Sequence, residues 1–326
     1  MSFSVLITAA SRRVALVKQF RQAINNIGGR LIAVDCDPYS SALYFSDKHL
    51  QVPKVNHPEY LNILRQIALE NNVRLIIPTF DHELRLWAEA RDDFKRAGIT
   101  VSISPASSIR VCQDKYETYR VFRKNKLPFP DSYLPDNLPV DIAFPLFIKP
   151  RQGRGSSHSL KIDTADELHF HLQHIKAPMI STYLEGQEFT SDALFSKSGQ
   201  LQRCVHRYRL VVRAGVSDRG RTFKNTELTR YIEQIGSKIH FIGAVNIQGK
   251  INRDQIHFFE INPRFSGGIQ LSFAAGADFT EMIIAEEQGH ILTPNLNDYR
   301  ENLMMTSYEA SLFIDKNGHT IPFPGK

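Results

Sequence analysis

The stretch His257-Phe258-Phe259-Glu260-Ile261-Asn262-Pro263-Arg264-Phe265-Ser266-Gly267-Gly268 decides how this chain is interpreted. In an extended strand, side chains two positions apart share a face, so Glu260 and Asn262 point together while the apolar residues between and before them point into a core. A carboxylate beside a carboxamide offers the oxygen ligands that Mg²⁺ prefers, and the guanidinium of Arg264 suits a phosphate that the metal holds. The alternative is a half-exposed edge strand whose polar residues face water.

A second predicted strand precedes this stretch and favours the metal interpretation. It reads Gly243-Ala244-Val245-Asn246-Ile247-Gln248-Gly249, and Lys250 to Asp254 read as a polar turn that leads into the returning strand of a hairpin. Such a hairpin sets Gln248 opposite Glu260. Three oxygen-bearing side chains on one face make a poor core but suit a nucleotide-bound metal, so Gln248, Glu260 and Asn262 are the predicted metal ligands.

Length and composition limit the class of protein. With 326 residues and a formal charge of +6, the chain suits two or three lobes with a sizeable core, and its basic residues form no tail that would imply nucleic acid. The cysteines Cys36, Cys112 and Cys204 are far apart, which suggests neither a disulfide framework nor a zinc site and fits a reduced cytoplasmic location. The longest apolar runs are too short for a membrane span or a signal peptide.

The N-terminal third alternates strands and helices. Ser4–Thr8, Arg30–Asp35, Leu75–Pro78 and Thr100–Ser102 read as strands separated by helical stretches, which predicts a doubly wound parallel sheet. An NAD-binding version would need glycines after the first strand, whereas the sequence has Thr8-Ala9-Ala10-Ser11-Arg12-Arg13. We therefore expect a scaffold, with Asp35 capping a turn, and an NAD-dependent oxidoreductase is disfavoured.

The rest of the chain has a different pattern. Ser104-Pro105 predicts the start of a helix with the serine as N-cap, and the proline-rich Leu127-Pro128-Phe129-Pro130 is a linker signal. Closely spaced strands then predict an α+β region, and Asn302 to Phe313 reads as a strand that closes a sheet.

A strand ending in lysine leads into a glycine-rich loop: Phe147-Ile148-Lys149-Pro150-Arg151-Gln152-Gly153-Arg154-Gly155-Ser156-Ser157. Glycine and serine let backbone N–H groups approach an anion, and a strand-end lysine supplies a point charge for phosphate. Most such loops are ordinary turns, which is the alternative interpretation.

The stretch His206 to Arg213 predicts an arginine-rich strand face. Arg207, Arg209 and Arg213 share a face under the period-two rule, and neighbouring guanidinium groups repel one another unless anions lie between them. The pattern favours a phosphate or carboxylate partner over a solvated edge.

These pieces together resemble the ATP-grasp superfamily, in the branch that includes one half of the carbamoyl-phosphate synthetase large subunit. The resemblance rests on V-N-I-Q followed by F-E-I-N-P-R, on the Lys149 loop, and on the hinge-like stretch Met179 to Asp192, and it covers about residues 100 to 290. The hinge departs from the family at Thr182, where glutamate is more usual.

The resemblance implies a fold and a set of site residues. The fold is a Rossmann-like pre-ATP-grasp domain over residues 1–110, a small ATP-grasp lobe over 111–185, and a large lobe with the C-terminal segment over 186–326. The implied ATP contacts are Lys115, Lys149, Arg151, Gly153, Gly155, Ser156, Tyr183, Leu184, Glu188 and Arg207. The implied catalytic residues are Arg264, Arg209 and Arg213.

The resemblance also implies an activity, namely an ADP-forming carboxylate–amine ligase that uses ATP with Mg²⁺, or Mn²⁺ in its place. The expected partners are a small-molecule carboxylate and an amine, without nucleic acid or membrane, and a homodimer is compatible with the sequence. A regulatory module that binds nucleotide without turnover is the alternative. The family patterns do not identify the carboxylate or the nucleophile.

Overall fold

The computed structural model describes residues 3–153, 158–213 and 215–321. The described residues divide into two compact units. One takes residues within Met1–Ser102, Thr280–Ile291 and Thr306–Lys326, and the other takes those within Ile103–Phe279 and Leu292–Met305. The predicted boundaries at residues 110 and 185 stay predictions.

The first unit is built on a parallel sheet. Its N-terminal elements are β1 (Ser4–Thr8), α1 (Val14–Asn25), β2 (Arg30–Asp35), β3 (Lys48–Gln51), α2 (Tyr60–Glu70), β4 (Val73–Pro78), α3 (Leu84–Arg96) and β5 (Thr100–Val101). The strands pair in the order β3-β2-β1-β4-β5, all parallel, which confirms the predicted doubly wound sheet. Both faces of such a sheet are covered, and β1 is accordingly buried at every position.

The turn after β2 confirms the expectation for Asp35. Its carboxylate accepts hydrogen bonds from the backbone N–H of Ser11 at 2.7 Å and of Asp37 at 3.0 Å. These bonds satisfy turn donors at the carboxyl end of the sheet, so Asp35 caps a turn here.

The second unit begins with two helices, α4 (Ala106–Gln113) and α5 (Lys115–Lys124). The prediction that Ser104 caps α4 is wrong, because Pro105 occupies the N-cap and the Ser104 hydroxyl instead accepts a hydrogen bond from Ile242 N–H at 3.1 Å. Asp114 caps α5, with its side chain accepting from the N–H groups of Tyr116 and Glu117.

A small antiparallel sheet follows the helices. Its strands are β6 (Ser132–Tyr133), β7 (Leu146–Pro150), β8 (Leu160–Ile162) and β9 (Pro178–Thr182), with α6 (Ala165–His174) between the last two. They pair in the order β6-β9-β7-β8. A core of Leu146, Ile148, Ile162, Leu168, Ile175 and Ile180 fills one face and fixes the register.

A larger antiparallel sheet carries the predicted hairpin. Its strands are β10 (Gln187–Phe195), β11 (Leu201–Arg213), β12 (Val216–Phe223), β13 (Gly243–Asn252), β14 (Gln255–Asn262) and β15 (Met304–Thr306), in the order β14-β13-β10-β11-β12-β15. The helices α7 (Thr226–Ile239) and α8 (Ile269–Ala274) belong to the same unit. The apolar face of α7, with Leu228, Ile232 and Ile235, packs into the core beneath the sheet.

Two sequence predictions for this region differ from the structure. Strand β12, with the sequence VSDRGRTF, was not predicted, because its polar composition hides a strand that is specified by pairing with β11. The predicted continuous strand from Asn302 to Phe313 is wrong, because β15 covers Met304–Thr306 alone and joins β12.

The remaining elements are α9 (Phe279–Glu287), β16 (Phe313–Ile314) and β17 (Thr320–Ile321). The last two pair as an antiparallel hairpin. None of the helices in the described part of the chain is long and apolar enough to cross a membrane.

Candidate active site

The hairpin of β13 and β14 brings two cross-strand pairs onto one face. Gln248 lies opposite Glu260, and Asn246 lies opposite Asn262, so the predicted register is confirmed. Residues two apart on a strand share a face, and directly opposed residues do as well, so one carboxylate and three carboxamides converge. Asn246 is buried and the other three are half-buried.

Gly249 permits an irregularity in the pairing of β13 with β14 directly after Gln248. The register shifts between Gln248 and Gly249. A Cβ at residue 249 would lie 2.3 Å from the carbonyl oxygen of His257, so the close approach of the two strands at this point requires glycine.

The donor set of the hairpin fits a hard cation. Gln248 Nε2 donates to Asn246 Oδ1 at 2.8 Å, so it is the nitrogen of this carboxamide, and not its oxygen, that contacts Asn246. Within the described ranges, no group of three or more His, Cys, Asp or Glu side chains could hold a metal. With Glu260 as its one carboxylate, the predicted site would depend on phosphate oxygens to complete the coordination of Mg²⁺.

A cavity of about 490 Å³ lies in the second unit. Its lining includes Lys115, Lys149, Gly153, Tyr183, Leu184, Glu188 and Glu260 from the predicted set, together with Pro130, Phe147, Pro150, Gln152, His158, Ser159, Lys161, Ser181, Thr182, Lys250 and Phe259. Residues separated by more than a hundred positions in the sequence therefore meet around one space. Its volume is in the range of small-molecule sites.

Two lysines, one from α5 and one from β7, line the cavity. Lys149 is buried, and its Nζ donates to the carbonyl oxygen of Phe259 at 3.2 Å. Desolvation lowers the pKa of Lys149 to about 8; the nearby Glu260 acts in the opposite direction and Lys115 adds to the lowering. Lys115 Nζ donates to Gly153 O at 3.0 Å, so its ammonium group lies beside the loop.

The predicted loop residues are only partly described. Gly153 has a φ of +131°, a conformation that favours glycine, and it lines the cavity. Gly155 and Ser156 lie outside the described residues. Arg151 forms an ion pair with Asp114 at 2.6 Å, so its guanidinium joins the strand end to the N-cap of α5. Its contact with phosphate stays a prediction.

The hinge contributes to the same cavity. Tyr183 and Leu184 line it, and the carbonyl oxygen of Leu184 accepts a hydrogen bond from Lys250 Nζ at 2.8 Å. Two ammonium groups lie close to the ring of Tyr183, with Lys161 Nζ 5.3 Å and Lys250 Nζ 5.1 Å from its centroid. Both lysines were missed by the sequence analysis.

Lys250 was missed because it was assigned to the turn. Strand β13 continues to Asn252, so the predicted turn from Lys250 to Asp254 is too long. The alternating pattern of the strand continues past Gly249, and following it to Asn252 would have identified Lys250 as a strand residue.

Glu188 and Arg209 connect the cavity to the arginine strand. Glu188 lines the cavity, and its Oε1 lies 2.8 Å from Arg209 Nε. The two charges form an ion pair, but the Arg209 Nε–H is not aligned for a hydrogen bond to this oxygen. Arg209 NH2 donates to Gly215 O at 3.2 Å in the β11–β12 turn.

The arginine strand differs from its prediction. Arg207 and Arg209 are buried, but register irregularities between Arg209 and Val212 interrupt the alternation, so the period-two argument does not extend to Arg213. The Arg213 side chain is 70% exposed. The anions beside these guanidinium groups are carboxylates of the protein itself: Asp192 Oδ2 lies 2.8 Å from Arg207 Nε, and Glu188 is paired with Arg209. Arg207 thus neutralises a buried carboxylate, and the structure gives it a role in the fold.

Arg264 lies where the hairpin leads into α8. Its NH1 donates to Phe265 O at 2.9 Å, and its NH2 is 3.5 Å from Asn262 Oδ1. The side chain is half-buried next to one of the predicted metal ligands.

Two family models match the sequence. Residues 174–310 match a family described as ATP-grasp in the biosynthetic pathway with Ter operon, and residues 5–102 match a PylC-like N-terminal domain. The carbamoyl phosphate synthase large chain of a Thermoanaerobacter species is 24% identical over 165 residues, which cover 45% of this chain and 15% of that protein. The match therefore spans a small fraction of the length of this curated relative.

Solved structures show the same fold. The L-amino acid ligase from Bacillus licheniformis aligns with a TM-score of 0.70 at 15% identity, covering 87% of this chain and 74% of the other. The biotin carboxylase domain of Hydrogenobacter thermophilus 2-oxoglutarate carboxylase, a dimer in complex with MgADP, ADP and bicarbonate, aligns with a TM-score of 0.73 at 17% identity, covering 93% and 74%.

The parallel N-terminal sheet, the two antiparallel sheets and the match over residues 174–310 together show an ATP-grasp fold. More specifically, the chain resembles a single ATP-grasp half of a carbamoyl phosphate synthase large chain and carries a PylC-like N-terminal domain.

Proposed function

We propose that this protein is an ATP-dependent, ADP-forming ligase that activates a carboxylate as an acyl phosphate for attack by an amine or a similar nucleophile. The face of the hairpin that carries Gln248, Glu260 and Asn262 is called the metal face below. One observation carries the proposal: the same cavity is lined by Lys149, by the hinge residues Tyr183 and Leu184, and by Glu260 of the metal face. Phosphate, adenine and metal subsites in one space are what phosphoryl transfer from ATP requires.

The nucleotide would be held by groups along the length of the cavity. The ammonium groups of Lys149 and Lys115 would contact phosphates, with Gly153, Gly155 and Ser156 as further proposed contacts, and the position of both lysines in the cavity lining supports this. The backbone at Tyr183 and Leu184 would contact adenine, and Glu188 would accept hydrogen bonds from the ribose hydroxyls. Arg207 is left out of this set, because Asp192 already neutralises its charge.

Gln248, Glu260 and Asn262 would hold Mg²⁺, or Mn²⁺ in its place. When bound, the metal supplies charge neutralisation for the phosphoryl group in transfer. The neutral side chains of Gln248 and Asn262 would orient it without adding negative charge near the phosphates.

The remaining chemistry falls to cationic side chains. A carboxylate oxygen attacks the terminal phosphorus of ATP and ADP departs; the nucleophile then attacks the carbonyl carbon and phosphate departs. Arg264, beside Asn262, would stabilise the developing negative charge, with Arg209 and Arg213 as further candidates for binding the carboxylate.

ADP release measured over pairs of carboxylic acids and amines, amino acids included, tests the proposal. ADP formation that depends on both partners and on Mg²⁺, and that is lost in Glu260→Gln, would support it. ATP binding without ADP formation from any pair would favour the regulatory module, and binding of NAD in place of ATP would overturn the ligase.

The proposed partners are small molecules, and a homodimer is the proposed assembly. A biotin carboxylase domain with the same fold is a dimer, which supports this choice. Sedimentation velocity of the full chain would test it, and a monomer at all concentrations would contradict it.

A further inference from the structure

A buried ion pair lies on the same face of the sheet as Asn246 and Gln248, on the neighbouring strands β10 and β11. Asp192 and Arg207 are 2% and 1% exposed, and Arg207 also donates to the hydroxyls of Ser217 at 2.8 Å and Ser266 at 3.1 Å. Ser272 donates to Asp192 Oδ2 at 2.7 Å. Burial by itself raises the pKa of Asp192, but Arg207, together with the hydroxyls of Ser272 and Ser266, holds that pKa below its ordinary value.

The second oxygen of Asp192 begins a chain of carboxamides. Asn246 Nδ2 donates to Asp192 Oδ1 at 3.1 Å, and Gln248 Nε2 donates to Asn246 Oδ1 at 2.8 Å. Asp192 and Asn246 are also direct cross-strand partners on β10 and β13, so the backbone register holds this contact in place. The hydrogen bonds run from a buried charge to the half-buried side chain of Gln248, which lies opposite the cavity-lining Glu260.

The direction of each hydrogen bond in this chain follows from the one before it. An ionised carboxylate accepts and cannot donate, so Asn246 must present its NH₂ group to Asp192 and its oxygen to Gln248. Gln248 must then present its own NH₂ group to Asn246. A carboxamide with its nitrogen used in this way keeps its oxygen for a cation, whereas the flipped carboxamide would present N–H groups that repel one.

We propose that Asp192 and Asn246 are positioning residues that fix the carboxamide of Gln248 with its oxygen toward the metal. This rests on the proposed function, because it takes Gln248 as a metal ligand. Arg207 acts one step further back, since it keeps Asp192 charged and in place. A glutamine ligand needs such a device, whereas a glutamate ligand, with two oxygens, would bind in either orientation.

The test measures metal affinity without turnover. Mn²⁺ binding is followed by electron paramagnetic resonance in the presence of a non-hydrolysable ATP analogue, for the parent and for Asn246→Ala. We expect Asn246→Ala to weaken Mn²⁺ binding about tenfold, the lower end of what loss of a ligand-orienting partner costs, while the affinity for the metal-free analogue is unchanged.

Ser272→Ala is the matched control. It also removes one hydrogen bond to Asp192, but on the oxygen that does not lead to Gln248. Mn²⁺ binding should be unchanged in this variant. Equal weakening in both variants would mean general damage around Asp192 and would overturn the positioning role.

The same comparison is repeated in a protein that carries Gln248→Glu. In Gln248→Glu both terminal atoms at residue 248 are oxygens, so adding Asn246→Ala should no longer weaken Mn²⁺ binding. The same loss in the glutamine and glutamate backgrounds would overturn the proposal. If Asn246→Ala does not fold, Asn246→Ser, whose hydroxyl is too short to reach Gln248, replaces it in the same comparison.

Failure of the proposed function is distinguishable from failure of this inference. Unchanged Mn²⁺ binding in Glu260→Gln would mean that the hairpin is not the metal site, and both proposals would fail. Weakened binding in Glu260→Gln with unchanged binding in Asn246→Ala would overturn the positioning role alone.

Discussion

Gln248 and Glu260 are direct cross-strand partners on β13 and β14, with the side chains of both half-buried on one face. The pairing places the neutral side chain of Gln248 beside the charged side chain of Glu260, two proposed oxygen ligands. The distance between the two side chains is set by the register of the strands. A slip of one residue would send one of the two side chains to the opposite face of the sheet. The proposed metal chemistry therefore depends on backbone pairing as much as on the identity of the two residues.

Replacing Glu260 with Gln should abolish nearly all ADP-forming activity while the protein stays folded. The substitution keeps size and hydrogen bonding but removes the carboxylate of the proposed metal site, and loss of such charge stabilisation costs about 10²–10³-fold in rate. The measurement is ADP release together with the melting temperature. Asp254→Asn, an exposed acid at the turn of the same hairpin, is the control and should keep full activity. Turnover of Glu260→Gln at the parental rate would mean that this carboxylate holds no metal.

Replacing Lys149 with Ala should remove the stabilisation that ATP confers. A ligand at a hundred times its dissociation constant stabilises a protein by about 2.7 kcal/mol, seen as a rise in melting temperature. Lys149 is buried at the cavity and donates to Phe259 O, so its removal deletes the positive charge that we propose contacts phosphate. Lys176→Ala, at an exposed position, is the control, and ATP should raise its melting temperature as much as it raises that of the parent. An undiminished shift in Lys149→Ala would place the nucleotide elsewhere.

Replacing Gly249 with Ala should destabilise the hairpin and with it the metal face. The added methyl would lie 2.3 Å from His257 O and 2.6 Å from the ring of Phe189, and overpacking of this kind costs about 1–3 kcal/mol. Urea unfolding measures the loss. The same variant should also bind Mn²⁺ more weakly in the presence of the ATP analogue. Parental stability would show that the two strands separate at this point without cost.

The protein should lose stability as the pH falls from about 6.5 toward 3, in part through His206. Its ring contacts Ser191 Oγ at 2.8 Å and Thr229 Oγ1 at 2.9 Å, and burial lowers its pKa to about 3. Because the folded pKa lies below the unfolded value, the unfolded chain binds more protons in this range. Stability is then fully present above pH 6.5, and each unit of decrease costs up to about 1.4 kcal/mol.

Urea unfolding at a series of pH values tests this dependence on the parent and on His206→Gln. The variant should be less stable at neutral pH, but its stability should fall less steeply between pH 6.5 and 4. Parallel slopes for the two proteins would mean that His206 takes up no proton on unfolding in this range.

Local patterns were sufficient to predict the sheet class, the hairpin and the lysine at the end of β7. Alternation along β14 shows which residues share a face, and the polar stretch before it predicts a hairpin with Gln248 opposite Glu260, although this pairing also depends on the register shift at Gly249. In the same way, apolar strands alternating with helices predicted the parallel sheet. These features depend on neighbouring residues and on periodicity, which the sequence contains directly.

The partners of charged side chains were beyond local patterns. The spacing of Arg207, Arg209 and Arg213 indicated that anions must lie nearby but could not identify them as Asp192 and Glu188. Ser104 has the residue type of an N-cap, yet the chain places its hydroxyl against Ile242. Such contacts join residues far apart in sequence, so they arise only when strands pair and helices pack.

The sequence by itself determined which residues could bind metal and phosphate, because ligand chemistry belongs to residue types and face-sharing belongs to strand periodicity. Only the tertiary structure decided how they are used. It brought Lys250 and Lys161 to the hinge, paired Arg207 with Asp192, and linked Asp192 through Asn246 to Gln248. The physical reason is that the direction of a hydrogen bond and the partner of a buried charge are set by which segments meet in the folded core.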